Sequence, residues 1–150
     1  MKKLLFLVPL LTVFVWAQAA SPAQPFSITI SGPEEVKAGA DIEINIQLTN
    51  SSDHEINLIE FYENGVNLSY SYDVRDEKGV LREKKSKRRS GGSVKPRTVK
   101  VGESIEAGTL VSRVFDMSQP GQYVIQVSHA ISDDPKNAVK SNSITVKVAP

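Results

Sequence analysis

Cysteine is absent from the 150 residues. That excludes disulfides, a thiol nucleophile, cysteine-ligated zinc, iron–sulfur chemistry and a lipidated N-terminal cysteine, so the fold must be held by its core. Histidine is scarce too: His54 and His129 are the sole imidazoles, which leaves little for metal or acid–base chemistry. Nine glycines and eight prolines are too few for low-complexity disorder. A helical apolar stripe of useful length is missing as well, because every stripe fits better at period two.

What is present begins with an export pattern. Lys2 and Lys3 precede an apolar run from Leu4 to Trp16, broken only by Pro9 and Thr12, and Ala17-Gln18-Ala19 supplies small residues for cleavage. Those 13 residues fall short of the roughly 20 that a spanning helix needs. Residues 1–19 are therefore expected to be a signal peptide, with cleavage after Ala19 or Ala20, and 20–25 a flexible leader. No second apolar run of that length follows. One extracytoplasmic domain, periplasmic or secreted, is expected over 26–150.

Charge is unevenly spread. Without Lys2 and Lys3 the chain carries 16 basic and 17 acidic residues, yet Arg82 to Lys100 holds nine basic residues against Glu83 alone. An acidic body thus carries one basic stretch, read as a loop at 82–97 with a glycine hinge at Ser90-Gly91-Gly92-Ser93.

The apolar period is two almost throughout. Phe26, Ile28 and Ile30 alternate with polar residues, as do Ile42, Ile44, Ile46 and Leu48, and again Tyr123, Ile125 and Val127, then Ile144, Val146 and Val148. Ile56 to Tyr62 is apolar on both parities except at Glu60, the pattern of a central strand. Asn64-Gly65 predicts a hairpin with a type I′ turn into Leu68, Tyr70, Tyr72 and Val74. Asp76-Glu77-Lys78-Gly79 predicts a second, short hairpin into Val80 and Leu81. Val99 and Val101 suggest a weak strand, and Leu110 to Phe115 another. Seven or eight such strands predict an all-β, antiparallel sandwich of the immunoglobulin type.

Three segments carry a resemblance. These are Lys37-Ala38-Gly39 before a strand ending in Thr49-Asn50-Ser51-Ser52, Val74-Arg75-Asp76 with Gly79, and Pro120-Gly121-Gln122-Tyr123 leading through Val127 to Ser141-Asn142. In order they resemble exported bacterial immunoglobulin-like domains, and in particular the BsuPI-type proteinase inhibitor domain, a small β-sandwich. The resemblance implies a non-catalytic domain, and inhibition of a proteinase as one activity; no inhibitory residue maps onto this chain. Tyr123, after a Pro-Gly turn at a strand start, resembles a tyrosine corner.

Catalytic candidates are thin. Asp53-His54-Glu55 places three ligand types side by side, but neighbours on an extended chain point apart. His129 near Asp133 and Asp134 lacks the oxygen count and spacing of a calcium loop. No Gly-x-Ser-x-Gly elbow accompanies either histidine, and no glycine-rich loop precedes a helix. No enzyme, cofactor or metal is expected. The expected role is that of an exported interaction or accessory domain of the cell envelope. Its partner would be another envelope protein or an anionic surface, the latter met by Lys84, Lys85, Lys87, Arg88 and Arg89. Nucleic acid is disfavoured because no aromatic interleaves with those cations. Phe61, Tyr62, Tyr70 and Tyr72 form the richest aromatic cluster, with Tyr70 and Tyr72 expected on one buried stripe alongside Leu68 and Val74; exposed instead, that face would suit protein or carbohydrate contact. Asn50 and Asn67 head sequons, surface glycan candidates in a eukaryote and unused in a bacterium.

If Lys87 to Arg89 form an exposed tip, brief trypsin treatment should cut there first while the flanking strands stay associated. Resistance over hours, followed by mass spectrometry of the intact chain, would contradict that expectation.

Overall fold

A computed structural model describes residues 24–85, 91–130 and 138–150. Residues 1–19 of the expected signal, most of the leader, Lys87, Arg88, Arg89, Ser90, Asp133 and Asp134 lie outside the described residues. Among the described residues no helix is long and apolar enough to cross a membrane.

The chain is an immunoglobulin-like β-sandwich, built of ten strands among the described residues. One sheet joins β1 (Phe26–Ser31), β3 (Glu43–Asn50) and β8 (Ser104–Leu110) in the order β1-β3-β8, all antiparallel. A second has the order β2-β10-β9-β6, from β2 (Glu35–Lys37), β6 (Ser71–Asp76), β9 (Gly121–Ala130) and β10 (Ala138–Ala149). A third, β5-β4-β7, is made from β4 (Ile56–Glu63), β5 (Val66–Asn67) and β7 (Ser93–Val99). Period-two patterning does the folding: Phe26, Ile28 and Ile30 meet Ile44, Ile46, Leu48, Ile125, Val127, Val146 and Val148 in a single core that also takes in Ile56 and Val99.

β5 is the joint. It pairs with β4 through Tyr62↔Asn67 and Glu63↔Val66, and it also touches β8, where the Asn67 N–H donates to Thr109 Oγ1 (3.1 Å) and the Leu110 N–H to the Gly65 carbonyl (3.0 Å). The third sheet therefore prolongs the first. The expected Asn64-Gly65 hairpin forms with φ of 52° and 77°, values that suit glycine at the second position. A Cβ on Gly65 would also come within 2.8 Å of Leu110 Cδ1.

Several expectations need correcting. The second arm of the hairpin is two residues long, because the chain leaves after Asn67 and crosses to β6, which pairs with β9 in the opposite layer. Leu68 stays beside β4 and is exposed, so it does not continue the buried stripe of Tyr70 and Val74. Leu110 to Phe115 is not a strand: Val111–Arg113 is a 3₁₀ turn, and the strand is β8 just before it. β8 escaped notice because its buried positions beyond Ile105 are Ala107 and Thr109, with Gly108 between them. β2 was missed for its length, and it runs parallel to β10.

The basic loop at 82–97 is also corrected. Ser93–Val99 is a strand paired along its whole length with β4, from Ile56↔Val99 to Tyr62↔Ser93. The strand accommodates its charges because the Arg97 guanidinium lies 4.0 Å from the buried Glu60 carboxylate, while Lys95, opposite Glu60 in register, stays exposed. Upstream, Arg82 N–H donates to the Val74 carbonyl, and Lys84 forms a bridge with Phe115.

The two sequon asparagines are fully buried. Asn50 Nδ2 donates to the carbonyls of His54 (2.8 Å) and Val99 (2.9 Å), while its Oδ1 accepts from the backbone and hydroxyl of Ser52. Asn67 Nδ2 donates to Glu60 Oε1 (3.1 Å). Neither carboxamide is open to a glycan in the folded chain.

Tyr123 is buried at the start of β9, and its hydroxyl donates to the Gln119 carbonyl (2.9 Å), four residues upstream. Tyr123→Phe is expected to lower stability by about 1 kcal/mol, read as a lower urea midpoint with unchanged slope. An unchanged midpoint would contradict a structural role for that hydroxyl.

Candidate functional site

A strand in a sandwich normally turns one parity to the core and the other to water. The outer face of β1-β3-β8 obeys: Thr29, Gln47 and Glu106 form a hydrogen-bonded row across it, and Thr49 bonds Ser104 (2.8 Å). β9 and its neighbours turn out Gln122, Lys147 and the Asp73–Arg75 pair, with Val124 and, bridged to Arg75 on its other side, Leu81 as apolar exceptions.

The third sheet differs. Its inner parity is Ile56, Leu58, Glu60 and Tyr62, which leaves Ile59 and Phe61 facing out, 59% and 50% exposed. The register sets Ile59 opposite Pro96 and Phe61 opposite Val94, itself 60% exposed. Leu68 N–H donates to the Phe61 carbonyl (2.7 Å), continuing the β4–β5 register and setting Leu68, 49% exposed, on the same face. Five apolar side chains thus lie side by side, which neither the polar face of β1-β3-β8 nor the Val124 and Leu81 pair on the second sheet matches.

This strip runs into a cleft of about 300 Å³. Val66, Leu68, Tyr70 and Tyr72 supply apolar and aromatic walls; Lys84, Lys85 and Arg113 supply positive charge; Glu63 is the one acid lining it among the described residues. The cations are held in place from different segments. Lys85 donates its backbone N–H to the Val114 carbonyl (2.6 Å) and its ammonium to the Ser112 carbonyl (2.8 Å). Arg113 reaches the Asn64 carbonyl (3.0 Å) and the Asp41 carboxylate (2.9 Å). The Lys84 side chain is exposed and makes no hydrogen bond or ion pair among the described residues.

Beneath the strip sits a buried acid. Glu60 is 2% exposed; its Oε1 accepts from Asn67, while its Oε2 has no hydrogen-bond partner and relies on the Arg97 guanidinium at 4.0 Å. Burial and, second to it, the charge of Glu60 push the Tyr62 hydroxyl above its ordinary value.

Of the residues singled out in the sequence, Lys84 and Lys85 line the cleft and Tyr123 lies elsewhere, at the start of β9. The aromatic cluster divides: Phe61 faces out, Tyr70 is buried, and Tyr62 and Tyr72 are half-buried. His54 stands on an exposed loop with Nδ1 on Asp53 (2.9 Å), and holds that carboxyl below its ordinary range. His129 packs its ring against Phe26 and Tyr70 and turns Nδ1 to the Ser69 carbonyl (2.8 Å). No group of three potential metal ligands converges among the described residues. The outer strip and Arg113 were not anticipated. The signal for the strip was available in the two-parity apolarity of Ile56 to Tyr62, which says that both faces are apolar but not that both are covered.

Compared with protein families and with curated proteins, the sequence matches none. Similar solved structures include a CARDB domain from Pyrococcus furiosus in complex with di-metal ions, with 13% identity over 83% of this chain and 87% of that one and a TM-score of 0.45. A β-glucosidase from Listeria innocua is 14% identical over 83% of this chain and 16% of its own (TM-score 0.46). The human CEP192 PapD-like domain is 12% identical over 92% and 94% (TM-score 0.40).

All four tyrosines have hydroxyls raised above the ordinary phenol value of about 10. For Tyr70 and Tyr72 burial is the main cause; the charge of Glu60 adds to it at Tyr70, and the Thr109 hydroxyl opposes it at Tyr72. A phenol raised in the folded state contributes stability that is complete below its unfolded value and lost as pH climbs toward the folded one. The urea midpoint should therefore fall above about pH 10, and Tyr70→Phe should flatten that fall. A midpoint that stays level into strong alkali would contradict the burial of these hydroxyls.

Proposed function

We propose that the chain is a non-catalytic, exported interaction domain of the cell envelope that docks through the outer face of β4 and β7 and the adjoining cationic cleft. One observation carries the reading: Ile59, Phe61, Leu68 and Val94 stand exposed on one sheet face beside Lys84, Lys85 and Arg113, while the outer face of β1-β3-β8 is polar and that of the second sheet shows only Val124 and Leu81, set on either side of Arg75, among the described residues. Contiguous exposed apolar surface costs solubility and marks contact sites. The core does not need these side chains, since β4 already contributes Ile56 to it from the other parity. Export is supported by the Lys2–Ala19 pattern, and the absence of catalysis by two histidines engaged in local contacts.

Proteinase inhibition, which the sequence resemblance implies, would require an exposed loop that enters a catalytic cleft. The apolar surface here is a sheet face, which favours docking over insertion.

Replacing Phe61→Ser together with Val94→Ser should leave the urea midpoint within about 0.5 kcal/mol of the parent, as for exposed sites. It should reduce capture of the protein by native envelope membranes at least about tenfold, the scale of losing central apolar contacts. Undiminished capture by the folded double variant would overturn the proposal.

A further inference from the structure

The docking face carries enough chemistry to say what it meets. Resting on the reading of that face as a contact surface, we infer that the partner is an anionic lipid bilayer: the apolar strip enters the interfacial zone while the cleft receives a lipid phosphate.

Charge complementarity is the first reason. The cleft at the end of the strip is lined by Lys84, Lys85 and Arg113, with Glu63 as the one acid lining it among the described residues; Arg113 is already paired with Asp41 (2.9 Å), so the two lysines carry the excess positive charge, in about 300 Å³ of space that suits a phosphate headgroup rather than a folded segment. The Lys84 ammonium makes no hydrogen bond or ion pair among the described residues, and the Lys85 ammonium, fixed on the Ser112 carbonyl, is left with two N–H donors. Apolar side chains beside cations are the pattern of a surface that lies on an anionic membrane, where neither element suffices alone.

Other occupants fit less well. A protein strand adding to the free edge of β7 would meet Pro96, which has no N–H to donate and blunts that edge. A standard protein interface buries about 800 Å² on each side, more than five partly exposed side chains present. A second copy of this chain would bring two cationic clefts into one contact with a single lining acid on each side. A bilayer asks for none of these: it needs a shallow apolar strip and counter-charge.

The lack of cysteine makes the test clean, since one introduced thiol is labelled uniquely. A polarity-sensitive fluorophore is placed on the full-length protein at Val94→Cys, on the strip, or at Thr29→Cys, on the polar outer face of β1. Each is titrated with phosphatidylcholine vesicles, with or without phosphatidylglycerol. The expected result is a blue shift and several-fold brightening at position 94 with anionic vesicles only, and no change at position 29. Adding Lys84→Gln and Lys85→Gln to the Val94→Cys protein should raise the half-saturating lipid concentration about tenfold or more. An unresponsive probe at 94, equal responses at 94 and 29, or equal responses to neutral and anionic vesicles would overturn the lipid assignment. If the probe at 94 ignores vesicles but responds to native envelope membranes stripped of neither protein nor lipid, the assignment falls while the docking face stands. If it responds to neither, both fall.

Discussion

One buried asparagine joins the parts of this fold. Asn67 has no exposed surface, and it bonds in four directions: its N–H to Thr109 on β8, its Nδ2 to Glu60 on β4, its Oδ1 from the Ser69 N–H, and its carbonyl from the Tyr72 hydroxyl on β6. Each of these groups would cost about 1–3 kcal/mol if left buried and unpaired. The third sheet can therefore be attached in this register or detached, with little between. Because Glu60 and Tyr62 must point inward to meet the seam, Ile59 and Phe61 must point outward.

The exposed strip is thus a consequence of the packing beneath it. A one-residue slip of β4 would cover Phe61 but would expose Glu60 and break its bond to Asn67, and the Asn64-Gly65 turn holds the register against such a slip. The same turn also positions the cleft, since the Asn64 carbonyl receives Arg113 and the Gly65 carbonyl receives the Leu110 N–H. Apolar strip and cationic cleft are set side by side by one hairpin. Docking through this face, as proposed, would use a surface whose register is already set by the fold, which spares part of the entropic cost of association.

The parts of this architecture legible in the sequence were those with strong alternation or obligatory turn chemistry. Phe26 to Ile30, Ile42 to Leu48 and Tyr123 to Val127 appear as strands, and Asn64-Gly65 as a turn, because each pattern has one low-energy solution. β8 was invisible because Ala107 and Thr109 bury little apolar area, and β2 because three residues make no period. β7 was hidden by its own charges: Lys95 and Arg97 read as loop until their neighbour Glu60 is known to be buried. For the site, Lys84 and Lys85 were visible as cations, whereas Arg113 depends on a 3₁₀ turn read as strand. The aromatic residues were visible as a cluster but not as a divided one, since the crossing between layers after Asn67 follows from long-range pairing with β9.

Hydroxyl-radical footprinting of the protein mixed with native envelope membranes tests the proposed docking face directly, by comparing side-chain oxidation with that of the free protein. Phe61 and Leu68 should become protected several-fold on binding, the signature of a face removed from water, while Val80 and Leu81, equally exposed but on the hairpin beyond β6, keep their rates. Protection of Val80 and Leu81 with Phe61 and Leu68 still oxidised would place the contact elsewhere and contradict this assignment of the surface.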